Sequence, residues 1–213
     1  MSAAVMLDPA PAGLPVTIHR PFYRLTVEQY LRMTEAGILG KYDRVELIEG
    51  LLVQKVTRHP PHDVSLSLIN RRLARILPDE WALRVQMAIA LRRSMPEPDL
   101  VIARGPEQRY ALRHPGPRDI ALLIEVADSS LLEDRTTKAT LYADARISEY
   151  WVVNTVHHQI EVYTEPRGGQ VPAYRQRRDY APDEEIPITL KGQEIARLRV
   201  RELLPPLPAR EPE

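Results

Sequence analysis

Apolar positions along the chain recur with two different spacings, and the changes between them mark the elements. A first helix is predicted from about Thr26 to Ala36, where Thr26 and Gln29 form a capping-box pattern at the start. Val45 to Val53 follows as two apolar arms around Glu49-Gly50, a hairpin signal. After Pro60-Pro61, the residues Val64, Leu68, Ile69, Leu73, Ile76 and Leu77 fall at helical spacing until Pro78 stops them. From Trp81 the period shortens to two. Trp81, Leu83, Val85, Met87, Ile89 and Leu91 would share one face of a single strand.

Two short continuous apolar runs come next, Leu100–Ala103 and Ile120–Val126. The second is apolar on both faces except at Glu125, as in a strand buried between two layers. A helical stretch from about Leu131 to Ala145 leads to Tyr150–Val153, another buried strand. Strand, helix and strand with short joints make a βαβ unit, which implies parallel pairing and a right-handed crossover. Gln159–Thr164, Ala173–Arg178 and Ile186–Leu190 are predicted as antiparallel additions, and Val200–Leu204 as a short last element. The fold class is therefore α/β: a mixed sheet flanked by helices. Prolines cluster at both ends, so segments 1–22 and 205–213 are expected to be flexible around a single domain of residues 23–204.

Composition narrows the chemistry. The chain has no cysteine, which excludes disulfides and thiolate metal sites and leaves oxygen or imidazole as ligands. Lys plus Arg and Asp plus Glu both number 29, so net charge offers no general attraction to nucleic acid, and only a local basic patch could supply it. The start of the chain lacks a signal-peptide pattern, and no apolar segment is long enough to span a bilayer. A cytoplasmic protein is expected.

Asp99 follows Pro98 at the opening of a predicted strand, and Glu125 is an acid inside a run that should be buried. A buried carboxylate is costly unless paired or bound to a metal. If the two strands are neighbours, both can offer oxygens to one hard cation, Mg²⁺ or Mn²⁺. Lys138 shares the sheet-facing side of the following helix with Leu131, Leu141, Tyr142 and Ala145, so its ammonium could reach the carboxylates. Two carboxylates on a metal plus a lysine suit phosphodiester hydrolysis. Blander roles stand beside this one. Asp99 could be a strand-start residue, Glu125 could close a salt bridge with Arg135 or Lys138, and Asp134 with Lys138 could be a surface helix pair.

These segments together resemble the Uma-type restriction endonuclease family of the PD-(D/E)XK nuclease superfamily. The resemblance covers about residues 25 to 165. It is carried by Thr26–Leu31, Val45–Gly50, His62, Pro98–Val101, Ile124–Ser130, Asp134, Lys138, Tyr142 and Glu149–Val153. It implies a restriction-endonuclease-like core with Asp99 and Glu125 as the motif acids and metal ligands, and Glu46 as a further acidic residue near the site. The chain departs from the written motif at Ala127, where the lysine would stand, and Lys138 on the next helix takes its place. A second departure is Arg146, where a glycine is usual. His62 also matches, although a residue just before a helix commonly caps or packs locally, and Glu149 is expected to be structural.

The implied function is a Mg²⁺-dependent endonuclease acting on DNA, and a homodimer is expected because the alternating strand and the late antiparallel segments leave edges that need covering. The alternatives are a nuclease-like protein that binds nucleic acid or a protein partner without cutting, and a structural dimer with a residual acidic site. Candidate phosphate contacts are Arg71, Arg72 and Arg75 on the second helix, and Arg104, Arg109, Arg113 and Arg118 on the loop between the two acidic strands.

Overall fold

The computed structural model describes residues 20–40 and 42–206, and every structural statement below concerns these. The expected flexible segments 1–22 and 205–213 therefore lie outside the described residues except for 20–22 and 205–206. Helix α1 (Val27–Glu35) begins with the expected capping box: Gln29 N donates to Thr26 Oγ1 at 3.1 Å, and Thr26 N donates to Gln29 Oε1 at 2.9 Å. Strands β1 (Val45–Ile48) and β2 (Leu51–Gln54) pair antiparallel through a two-residue turn. Both turn residues are left-handed, Glu49 at φ 47° and Gly50 at φ 80°. A Cβ on Gly50 would sit 2.7 Å from Arg24 Cβ, so the turn requires glycine for space as well as for φ. Helix α2 (Pro60–Ile76) starts on its prolines and ends where Leu77, preceding Pro78, turns extended.

The continuous apolar runs become the middle of a six-stranded sheet in the order β3-β4-β5-β6-β7-β8. Its strands are β3 (Trp81–Val85), β4 (Leu100–Arg104), β5 (Ile120–Ala127), β6 (Glu149–Asn154), β7 (Gln159–Arg167) and β8 (Ala173–Tyr180). Only β5 and β6 are parallel, and the predicted helical crossover joins them. That crossover is broken into α3 (Leu131–Glu133), a π-helical turn (Asp134–Lys138) and α4 (Ala139–Asp144). Every residue of β5 is buried, because both faces of the sheet are covered.

One cover consists of Ile69 and Leu73 of α2 together with the hairpin of β9 (Glu185–Leu190) and β10 (Gln193–Arg199), packed on Leu100, Ile102, Leu122, Ile124 and Trp151. The other consists of Leu141 and Tyr142 of α4, Ile48 of β1 and Ile89, packed on Val101, Leu123, Tyr150 and Val152. On this second face the register aligns Glu125 with Val152, Val152 with Glu161, and Glu161 with Asp179. Asp99, one residue before β4, extends the row beside Glu125, since Leu100 pairs with Ile124.

Two expectations are corrected. The alternating run from Trp81 to Leu91 is not one strand: β3 ends at Val85 because Gln86 turns left-handed at φ 52°. Leu83 and Val85 then pack on the α2 side, whereas Ile89 and Leu91 pack on the α4 side, so alternation survives without a shared face. The segment Ile186–Leu190 leaves the main sheet and pairs with β10, a strand that the charged sequence Gln193–Arg199 had not signalled. The short last element expected at Val200–Leu204 is a 3₁₀ turn over Val200–Glu202.

Candidate active site

Asp99 and Glu125 meet as their strands require. Asp99 N lies 3.3 Å from Glu125 Oε2, and the Val126 N–H donates to Asp99 Oδ2 at 2.9 Å. Lys138 reaches the pair from the π-helical turn, with Nζ 3.0 Å from Glu125 Oε1, and the Tyr142 hydroxyl donates to the same oxygen at 2.7 Å. Both donors thus fix one oxygen of Glu125, while the other faces Asp99. Of the two salt-bridge partners considered for Glu125, the structure selects Lys138; Arg135 goes to Glu161 instead.

Glu46 of β1 is buried and lines the same cleft, where its Oε2 accepts the Glu97 N–H at 3.0 Å. The cleft is further lined by Lys55, Arg58, His62, Asp128, Ser130 and Asp134. None of the arginines proposed as phosphate contacts lines it. Arg72 pairs with Glu202, Arg113 pairs with Asp119, and Arg104 lies over the Trp81 ring. Glu149 accepts the Trp151 indole N–H at 2.7 Å, in keeping with a structural role.

Two residues stand differently from their sequence-based description. Asp134 is not on the surface: it is 1% exposed, its Oδ2 accepts the Ser130 hydroxyl at 2.6 Å, and its buried Oδ1 has no hydrogen-bond partner. That Oδ1 lies 3.7 Å from Lys138 Nζ. His62 is neither a cap nor an apolar packing group. The cap position of α2 is His59, and the buried His62 ring sets Nε2 3.0 Å from Asp99 Oδ2 and Nδ1 3.3 Å from Asp63 Oδ1. Gln86 supplies a further bond to Asp99 Oδ1 at 3.2 Å. The spacing of Asp134, Lys138 and Tyr142 at four-residue steps was the available signal for one functional face.

Burial dominates the electrostatics. It pushes the Glu125 carboxyl up, to about 8, against the pull of Lys138, and Asp134 and Asp99 add repulsion in the same direction. Asp134 is likewise raised by burial, to about 6. Burial works against the Lys138 ammonium, but Glu125, Asp134 and Glu46 outweigh it and hold the lysine charged. Burial would also raise Asp99; the His62 hydrogen bond and charge, with the Val126 N–H, outweigh it and hold the carboxyl low. Burial disfavours the charged His62 ring, but Asp99 and Asp63 outweigh that and raise it.

Seven acidic side chains therefore line one cleft, four of them the buried Glu46, Asp99, Glu125 and Asp134, with Lys138 as the buried cation among them, and burial raises the carboxyls of Glu125 and Asp134 above their usual range. This all-oxygen donor set, with a buried and unpartnered Asp134 Oδ1, fits a hard divalent cation. Among the described residues no three His, Asp or Glu side chains are grouped to coordinate one ion together. Mg²⁺ is commonly held by one or two carboxylates with water and substrate oxygens completing its shell, which the Asp99–Glu125 pair can provide.

Residues 27–200 match the model of the Uma2 family, described as putative restriction endonuclease. The match extends past residue 165 to include β7 through β10. In structure, the chain is similar to a putative nuclease belonging to DUF820 from Anabaena variabilis ATCC 29413. The TM-score is 0.61 at 16% identity, over 84% of this chain and 97% of that one, which is a likeness of fold. Nothing among the curated proteins matches. No helix of the described residues is long and apolar enough to cross a membrane.

Proposed function

Because the chain belongs to the Uma2 family of putative restriction endonucleases, we propose that it is a Mg²⁺- or Mn²⁺-dependent endonuclease hydrolysing DNA phosphodiester bonds. The observation that carries this reading is the convergence of Asp99, Glu125 and Lys138 within hydrogen-bond reach at one cleft. Asp99 and Glu125 are the residues that would hold the cation. When bound there, a divalent cation supplies Lewis-acid polarisation of the phosphate and a water acidic enough to attack near neutral pH.

The chain's own groups do the rest. Tyr142 and Lys138 fix Glu125 Oε1, which keeps Oε2 turned towards Asp99. His62, Gln86 and the Val126 N–H all bond Asp99, and His62 with the Val126 N–H holds its carboxyl low against burial. The Lys138 ammonium lies where it can stabilise negative charge developing on the phosphoryl oxygens. Glu46 reaches the cleft from the first hairpin and can order a water there. Asp134 helps keep Lys138 charged and in place.

Purified protein incubated with supercoiled and linear DNA and Mg²⁺ or Mn²⁺ should cut, and Asp99→Ala should not. Equal cleavage by the variant, or no metal-dependent cleavage of any substrate, overturns the reading. A homodimer would have two open sheet edges available, β3 and β8; light scattering that finds only monomer at working concentrations rejects it.

A further inference from the structure

We propose that the arginine-lined groove at the opposite end of β5 from the carboxylate cleft binds the phosphate backbone of duplex DNA. Two concavities adjoin there. Arg109, Arg113, Arg118 and Arg146 line one; Arg146, Arg167 and Arg175 line the other, so Arg146 belongs to both. Asp119 is spent on organising the loop: it takes Arg113 at 2.7 Å, accepts the Gly116 N–H at 3.0 Å, and has Arg109 at 3.5 Å. Arg118, Arg146, Arg167 and Arg175 are exposed and have no carboxylate partner among the described residues. In a chain of zero net charge, six arginines thus line the two concavities against three acids, and the other two acids are engaged locally: Asp144 accepts the Gly169 N–H at 3.2 Å and Glu165 accepts the Gln176 amide at 2.6 Å.

That surplus of arginine has a physical use. The cleft is lined by seven acidic side chains against Lys55, Arg58 and Lys138, so its balance of charge disfavours a polyanion until a cation is bound. Attraction for the substrate must then come from elsewhere on the surface. The eight residues of β5 put the two ends about 26 Å apart, roughly the rise of eight base pairs, so one duplex can contact both.

Arg146 strengthens the assignment. It follows the last turn of α4 in a left-handed conformation at φ 57°. Ile147 N donates to Tyr142 O at 3.1 Å and Arg146 N to Ala143 O at 3.0 Å, the paired bonds of a Schellman ending. Glycine is the residue that suits this backbone position. The arginine is kept there against local backbone preference, and its side chain is the one shared by both concavities.

This rests on the nuclease reading for the identity of the polymer, and the test separates the two. Binding of a labelled duplex by the full chain, measured by anisotropy in EDTA across a salt series, should weaken with salt. The variant Arg118→Ala/Arg146→Ala/Arg167→Ala/Arg175→Ala should lower the slope of log affinity against log salt by about 3 to 4, since each duplex phosphate contact is worth about 0.9. It should also bind more than about tenfold more weakly at fixed salt. Arg146→Gly alone should lower the slope by about 1 while its Tm stays the same or rises. An unchanged slope in the quadruple variant, no duplex binding by the wild type, or a fall in Tm with Arg146→Gly overturns the proposal. If arginine-dependent binding is present but metal-dependent cleavage is absent, the surface stands and the nuclease reading falls. If cleavage is present and the slopes are unchanged, the reverse holds.

Discussion

Glu125 and Glu161 occupy the same row of the same sheet face, separated only by Val152, yet their surroundings treat them in opposite ways. Both side chains are buried. Glu161 is surrounded by donors: Arg135 grips it through Nε at 3.0 Å and Nη2 at 2.5 Å, Asn154 donates at 2.7 Å, the Tyr163 hydroxyl at 2.9 Å, and Arg177 lies at 3.3 Å. Burial opposes its charge, but these bonds overcome it and bring the carboxyl down to about 2. Glu125 has Lys138 and Tyr142 for company, with Asp134 and Asp99 repelling it, and burial leaves its carboxyl raised to about 8. A saturated buried carboxylate is structural. An under-compensated one in an open cleft has a perturbed carboxyl of the kind found at functional sites, which is what the proposed metal-binding role requires.

Substitutions should separate the two carboxylates. The largest effect belongs to the cleft and to chemistry: Asp99→Ala and Lys138→Ala should each lower DNA cleavage by at least about 100-fold. Cleavage of plasmid at matched protein concentration checks this, with circular dichroism showing that both variants fold. Next in size, Glu161→Gln should destabilise the fold near neutral pH by about 3 kcal/mol, read from urea unfolding. The lowered carboxyl contributes stability above its unfolded value near 4.5, and the contribution disappears as pH falls from there towards about 2. The penalty of Glu161→Gln should therefore shrink over that window.

The sign reverses at Glu125. Its folded carboxyl keeps a proton up to about 8, while the unfolded one releases it near 4.5. In metal-free protein the charge of this site thus subtracts stability as pH rises between those values. Glu125→Gln should make metal-free protein more stable at pH 8 by about 1 kcal/mol or more, with the gain fading towards pH 5. Added Mn²⁺ should raise the Tm of the wild type and not that of Glu125→Gln. If Glu125→Gln and Glu161→Gln shift stability in the same direction in EDTA, the contrast between the two carboxylates is wrong. The smallest effect lies outside both regions: Thr26→Ala removes the cap of α1 and should cost about 1 kcal/mol locally, seen by hydrogen exchange. Since α1 buries no residue, global unfolding should move less.

Much of this contrast was legible in the residues. Glu125 stands alone as an acid in Ile120–Val126, and that run could only be a covered strand. The inward placement of Lys138 followed from helix periodicity, and the hairpin from Glu49-Gly50 between apolar arms. What escaped is what long-range contacts decide. Asp134 at i−4 from Lys138 looks like an ordinary helix pair, and only the packing of the crossover on the sheet buries it. His62 touches Asp99 across 37 residues, a contact that no local pattern encodes. The irregular path from Gln86 to Asp99 is held by scattered backbone bonds such as Gln86 N to Asp99 O at 3.0 Å, so its alternation read as a longer strand. Strand β10 was hidden by its charged residues, whose apolar partners Ile195 and Leu198 are few.

The π-helical turn at Asp134–Lys138 carries a consequence for how such a site can change. A π turn accommodates one more residue than an α-turn, so it sets the angular phase of everything that follows it. Removing one residue from that turn, for instance Thr137, would let the crossover run as plain α-helix with its two ends still nearly in phase, whereas removing Thr140 from the regular α4 would rotate Tyr142 by about 100° relative to Asp134. After the second deletion every side chain of the site would remain in the chain, in the same order, and the constellation around Glu125 would be gone. Deletion of Thr140 is thus a separate class of lesion from substitutions, and deletion of Thr137 a far milder one. The Thr140 deletion leaves the chemical alphabet intact and spoils its timing.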